Sequence, residues 1–176
     1  MKKLFIYFIF ISLYIHLLPF DENNSEDIYK IGYKAFNDKA YDYAVIMLKK
    51  ILANEKAGDD YKNLAHYYIG VSYFYINKMD MAESELKSVS ENISDIDILV
   101  KTSYYKARIY KGKKFYDMAI NELKDAEKKY SKSGSVYIIY LLLGDVYKEL
   151  QKFDNSIGYY QKVTGENKSE GMMKIG

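Results

Sequence analysis

The sequence predicts an all-α solenoid of four helical hairpins preceded by an N-terminal hydrophobic export helix. Three observations predict it. Four segments, residues 28–51, 66–89, 103–126 and 140–163, align without gaps. In each, a small residue is followed twelve positions later by another: Gly32/Ala44, Gly70/Ala82, Ala107/Ala119 and Gly144/Ser156, the second members lying 38, 37 and 37 positions apart. The single proline, Pro19, argues against an all-β or loop-rich body.

The export element comes first. Lys2 and Lys3 precede residues 4–18, a run without formal charge broken only by Ser12 and His16. As a helix this run spans about 22 Å, short of the roughly 30 Å hydrocarbon core and at the top of the range for a signal-peptide core. Leu18-Pro19-Phe20 is bulky where a cleavage site wants small residues. Residues 1–20 are therefore read as a signal peptide or a retained signal anchor, with both alternatives open. Asp21, Glu22, Glu26 and Asp27 follow the run. Lysines before and acids after favour a body outside the cytoplasm.

Residues 21–169 form the array, with repeats near 26–60, 61–94, 97–132 and 135–168. Apolar residues recur at helical spacing on both sides of a short polar turn, such as Asn37-Asp38-Lys39 or Asn77-Lys78. Small residues on both helices let the backbones approach. The large residue three positions before the second small one (Tyr41, Met79, Tyr116 or Phe153) is expected to fill the space between hairpins. One hairpin cannot bury its own apolar face, so stacked neighbours supply a continuous core. Residues 170–176 read as the start of a further, incomplete repeat helix, with Ile175-Gly176 in the position of Leu143-Gly144.

These motifs resemble the tetratricopeptide repeat (TPR) family. Leu143-Gly144-x-x-Tyr147 and Ile69-Gly70-x-x-Tyr73 match its first helix, and Tyr41, Tyr116 and Phe153, three before the second small residue, match its second, with Met79 there in the second repeat. Departures are Ala35 at the tyrosine position of the first repeat, Lys106-Ala107 at the Leu-Gly positions of the third, no closing proline, and a period near 37 in place of the family's 34. The longer period is similar to that of exported bacterial TPR proteins: the Tol-Pal coordinator, outer-membrane assembly lipoproteins and the Sec ancillary subunit. The absence of cysteine excludes the lipid-anchored version.

Composition narrows the function. Setting aside Lys2 and Lys3, the body balances 24 basic against 24 acidic residues and lacks the basic footprint of a nucleic-acid binder. Arg108 is the one arginine. With no cysteine and two histidines, His16 and His66, a metal cluster or a His-based triad has too few members, and neither metal nor cofactor is expected. His66 reads as a packing residue. Acid pairs such as Asp59-Asp60, Asp95/Asp97 and Asp125/Glu127 read as helix starts or polar faces, and Ser94-x-x-Asp97 as a capping box. Three Asn-x-Ser sequons read as chance matches in an Asn- and Ser-rich chain, and Lys111-Gly112-Lys113-Lys114 as a solvated basic turn. No phosphate loop or nucleophile elbow is present, so no enzyme and no small-molecule substrate are predicted.

What remains is a surface for a protein or peptide partner. The resemblance implies that the first helices line a concave groove at Tyr29, Tyr33, Phe36, Tyr67, Phe74, Tyr75, Tyr104 and Arg108, with Leu64, Val71, Lys111, Leu141, Asp145, Lys148 and Glu149 as further lining positions. Equally, these tyrosines are expected to serve only as packing between helices. The family's lysine-and-asparagine clamp for chain termini is missing, because Tyr33 and Phe36 stand where its groups would lie. The expected function is a non-catalytic extracytoplasmic scaffold for envelope proteins. The alternative is a membrane-anchored, translocon-associated or chaperone-like module held by residues 4–18.

Overall fold

The computed structural model describes residues 24–175, so the expected export element lies outside the described residues. Among the described residues there are nine α-helices, two short 3-10 turns and no strand. The hairpins are α1 (Ser25–Asn37) with α2 (Tyr41–Ala53), α3 (Asp59–Tyr75) with α4 (Met79–Lys87), α5 (Ile96–Gly112) with α6 (Tyr116–Lys129), and α7 (Tyr137–Glu149) with α8 (Phe153–Gln161). A last helix, α9 (Lys168–Ile175), follows.

Local chemistry sets the helix ends. The Asn24 side chain caps α1 by accepting from the Glu26 N–H at 3.0 Å. Asp95 caps α5 by accepting from the N–H groups of Asp97 and Ile98. The cap is therefore Asp95 and not Ser94; Asp97 instead accepts from the Ser133 hydroxyl at 2.8 Å, tying α5 to the loop after α6.

Each first helix ends in the same way. The N–H groups of Ala40, Lys78, Phe115 and Lys152 reach back to the carbonyls of Ala35, Tyr73, Tyr110 and Tyr147 at 2.8–2.9 Å. This reach-back needs one left-handed residue before the donor. Lys39, Asn77, Lys114 and Gln151 supply it, with φ between 58° and 62°. None is glycine, although glycine adopts that conformation without steric cost.

The small residues form the contact between the two helices of a hairpin. A Cβ on Gly32 would stand 2.7 Å from Leu48, and one on Gly70 would stand 2.8 Å from Leu86. Gly144 faces the Tyr160 ring. Ala44, Ala82, Ala107 and Ala119 are completely buried, and Ser156 is nearly so. The residue seated over each glycine is thus the large one four after the second small residue. The residues expected to fill the space between hairpins behave unequally. Tyr41 stacks on Tyr75 of the next hairpin at 4.9 Å, but Phe153 is 58% exposed and fills nothing.

Successive first helices α1, α3, α5 and α7 pack on one another, whereas successive second helices lie farther apart. The stack therefore curves with the first helices on its inner side. At the end, α9 packs on α8 with Gly171 against the Tyr160 carbonyl and Val163. The small residue at this contact is Gly171, where the register had put Gly176. Lys174 pairs with Asp145 at 2.8 Å, fastening α9 to α7.

Candidate peptide-binding groove

The inner side carries a connected sheet of aromatic rings. Tyr29 stacks on Tyr33 at 5.8 Å, and both meet Tyr68 of the next first helix, at 6.0 and 5.2 Å. Phe36 meets Tyr68 at 5.0 Å and Tyr41 at 5.7 Å. Tyr41 leads to Tyr75, and Phe74 and Tyr75 meet Tyr105 at 5.3 and 6.2 Å. Tyr104 completes the row beside Tyr105. The Tyr75 and Tyr105 hydroxyls are hydrogen-bonded to each other at 3.0 Å. Offset and edge-to-face pairs of this kind hold rings in place beyond what area burial does.

The row is a surface and also a joint between repeats. Tyr33 and Tyr75 are 39% and 47% exposed, and Tyr29, Phe36, Tyr68, Phe74, Tyr104 and Tyr105 are half-buried. Burial pushes the hydroxyls of Tyr29, Tyr68 and Tyr105 above the ordinary tyrosine range. These groups stay neutral at physiological pH.

Three expected groove residues lie elsewhere. Tyr67 is 5% exposed, and Val71 and Leu141 are also buried. They face the core because the inward arc of these helices is narrower than the register assumed. Tyr68 takes the place assigned to Tyr67. Tyr41, Tyr61, Tyr68 and Tyr105 were missed. A signal for two of them existed: Tyr68 and Tyr105 stand two residues before the small residues Gly70 and Ala107, at equivalent places in their repeats.

At the C-terminal end of the row the chemistry changes. The Arg108 guanidinium lies 4.5 Å from the Phe74 ring centre, 5.5 Å from Tyr104 and 5.8 Å from Tyr105. It borders a cleft of about 770 Å³ that Lys111, Lys114, Leu142, Asp145 and Glu149 also line. Lys111 pairs with Glu149, and Asp145 with Lys174 and the Tyr160 hydroxyl. Burial pushes the Tyr160 hydroxyl up to about 12. Lys148, expected on the lining, is exposed.

His66 lies on the opposite side of α3 and meets Glu85 of α4 at 2.8 Å. No group of three or more potential metal ligands occurs among the described residues. None of their helices is long and apolar enough to cross a membrane.

No protein-family model and no curated protein sequence matches the chain. Among solved structures, the crystal structure of MamA, a TPR-containing protein, aligns with a TM-score of 0.66 over 93% of this chain and 85% of that chain, at 20% identity. The fold is TPR-like. In a TPR-like stack the inner first-helix face is continuous from repeat to repeat, and here that face is the aromatic row.

Proposed function

We propose that the chain is a non-catalytic scaffold that holds protein partners along the inner face of its first helices, on the extracytoplasmic side of a cell membrane. The observation that carries this reading is the exposed edge of the aromatic row at Tyr33 and Tyr75. Tyrosine offers large contact area with few rotors to freeze, plus a hydroxyl for a wet rim. The TPR-like fold supports the same reading, since it is typical of protein–protein interaction. The location rests on Lys2 and Lys3 before the apolar run and on the acids after it. Envelope proteins are the partners that follow from that location.

A second reading keeps residues 4–18 as an anchor and makes the body a translocon-associated or chaperone-like module. Leu18-Pro19-Phe20 favours it, because no small-residue cleavage site follows the run. Intact mass of the protein from its native membrane separates the two readings by the presence or loss of residues 1–20.

The scaffold reading is tested by placing a photo-cross-linking residue at Tyr33, on the inner face, or at Tyr43, which is 51% exposed on α2. Protein adducts in cells are expected from position 33 and not from position 43. Equal adducts, or none from 33, would remove the groove as the binding face. For location, an alkaline-phosphatase reporter joined after Lys152 is expected to be active outside the cytoplasm; activity restricted to a cytoplasmic reporter would overturn it.

A further inference from the structure

The cleft at the end of the aromatic row has an unbalanced charge. Its acids are already used: Asp145 is held by Lys174 and Tyr160, and Glu149 by Lys111. Lys113 is held by Asp80 and Glu83, both at 2.8 Å. Two lining cations, Arg108 and Lys114, have no carboxylate within ion-pair distance among the described residues. Arg108 is further constrained, because Phe74, Tyr104 and Tyr105 hold its guanidinium plane by cation–π contact. A guanidinium fixed in this way loses little freedom on meeting a carboxylate and presents a planar fork that matches it.

We propose that Arg108 anchors an aspartate or glutamate side chain inside an extended peptide whose apolar residues on one side of that acid lie along the aromatic row. The proposal rests on the groove being a peptide-binding face and names the chemistry of its ligand. An internal acid fits better than a chain end because the surface continues on both sides of Arg108. Toward repeats 1 and 2 run Phe74, Tyr75 and, through Tyr41 and Phe36, Tyr68; toward repeat 4 the cleft continues to Asp145 and Glu149 over the buried Leu142. A terminal carboxylate would leave one of these sides uncovered. Lys114, at the turn edge, adds positive potential over the same cleft.

The test uses the full chain purified in detergent and three libraries of N-acetylated octapeptides with flanks drawn from Leu, Phe, Tyr, Trp, Ala and Ser. One has a central Glu and an amidated end, the second a central Gln and an amidated end, and the third a central Gln and a free carboxylate. Selected peptides are measured by fluorescence polarisation. Wild type is expected to bind Glu peptides at least tenfold tighter than their Gln twins. Arg108→Gln is expected to lose that ratio with the helical signal intact, and Arg108→Lys to retain part of it. Should Arg108→Gln lose helix, the wild-type ratio still decides, and it is expected to shrink between about 0.05 and 0.5 M salt. Equal binding of the twins, selection of free-carboxylate peptides, no selected peptide, or an unchanged ratio in a folded Arg108→Gln overturns the proposal. Adducts from position 33 alongside any of these results leave the scaffold reading standing and remove only the acidic anchor.

Discussion

The Ser156 hydroxyl donates a 2.9 Å hydrogen bond to the Gly144 carbonyl, linking the two small residues that mark the fourth hairpin. The three other hairpins have alanine where Ser156 stands, at Ala44, Ala82 and Ala119. The site therefore accepts alanine without a steric change. Ser156→Ala is expected to lower stability by about 0.5–1.5 kcal/mol, the net worth of one hydrogen bond, read from the shift of a denaturation midpoint. No loss at all would mean that the hydroxyl only fills space.

Enlarging the glycines should do more. In Gly70→Leu and Gly144→Leu the new side chain meets Leu86 or the Tyr160 ring, each held in the core. Overpacking costs about 1–3 kcal/mol, so the thermal midpoint by circular dichroism should fall by several degrees. Gly58→Leu is the control, since nothing stands within 4 Å of a Cβ there. Unchanged midpoints for both core variants would contradict the contact between the helices of a hairpin.

The left-handed turn residues give a prediction of opposite sign. Lys39, Lys114 and Gln151 hold a conformation that disfavours a Cβ by about 1–2 kcal/mol. Glycine relieves that strain but adds freedom to the unfolded chain. Lys114→Gly is expected to raise the midpoint slightly, and Asn77→Gly less, because asparagine tolerates the left-handed region. A fall in both would mean that the freedom glycine adds to the unfolded chain outweighs the strain it relieves.

Acid should loosen the joints between hairpins. Hydrogen bonds from Lys113, then Lys87, hold the Glu83 carboxyl below its ordinary value, and those from Ser133 and Ser135 do the same for Asp97. Each group is depressed in the folded state. Its contribution is complete above the unfolded value of about 4 and is lost as pH falls through the lower folded value. The midpoint should decline below about pH 4, and Glu83→Gln should flatten that decline. An identical pH profile in wild type and Glu83→Gln would exclude Glu83 as a contributor.

Groove and core tyrosines should separate by mutation. Tyr67→Ala removes a ring that is 5% exposed, and large core truncations of this kind cost about 3–5 kcal/mol. Tyr33→Ala and Tyr75→Ala remove exposed rings that also join successive repeats, so each should lower the melt, but by less than Tyr67→Ala. Their double variant should weaken a groove ligand by about thirtyfold or more, the effect of a hot spot near 2 kcal/mol. If Tyr33→Ala with Tyr75→Ala collapses the helical signal, the row is packing only.

The hairpin register is legible in the sequence. Gly32, Gly70 and Gly144 are small for one reason, a large side chain seated over each, and the twelve-residue spacing encodes that contact locally. The left-handed turns were not readable, since Lys39, Lys114 and Gln151 carry no compositional mark of that backbone. Their conformation is imposed by helices that must turn back within a few residues. The split between Tyr67 and Tyr68 was also hidden. Adjacent residues on a helix differ by about 100°, and the angle at which α3 meets its neighbours decides which of the two rings is buried.

By itself, the sequence determined the all-helical class, the four hairpins and the pairing of small residues, because each is a periodic property of neighbouring residues. Tertiary structure alone decided that Tyr29, Tyr33 and Phe36 join Tyr68, that Tyr75 meets Tyr105, and that Arg108 stacks on Phe74 with no acid paired to it among the described residues. These residues belong to different hairpins. Their meeting depends on the rotation between successive first helices, which is set by how whole helices pack.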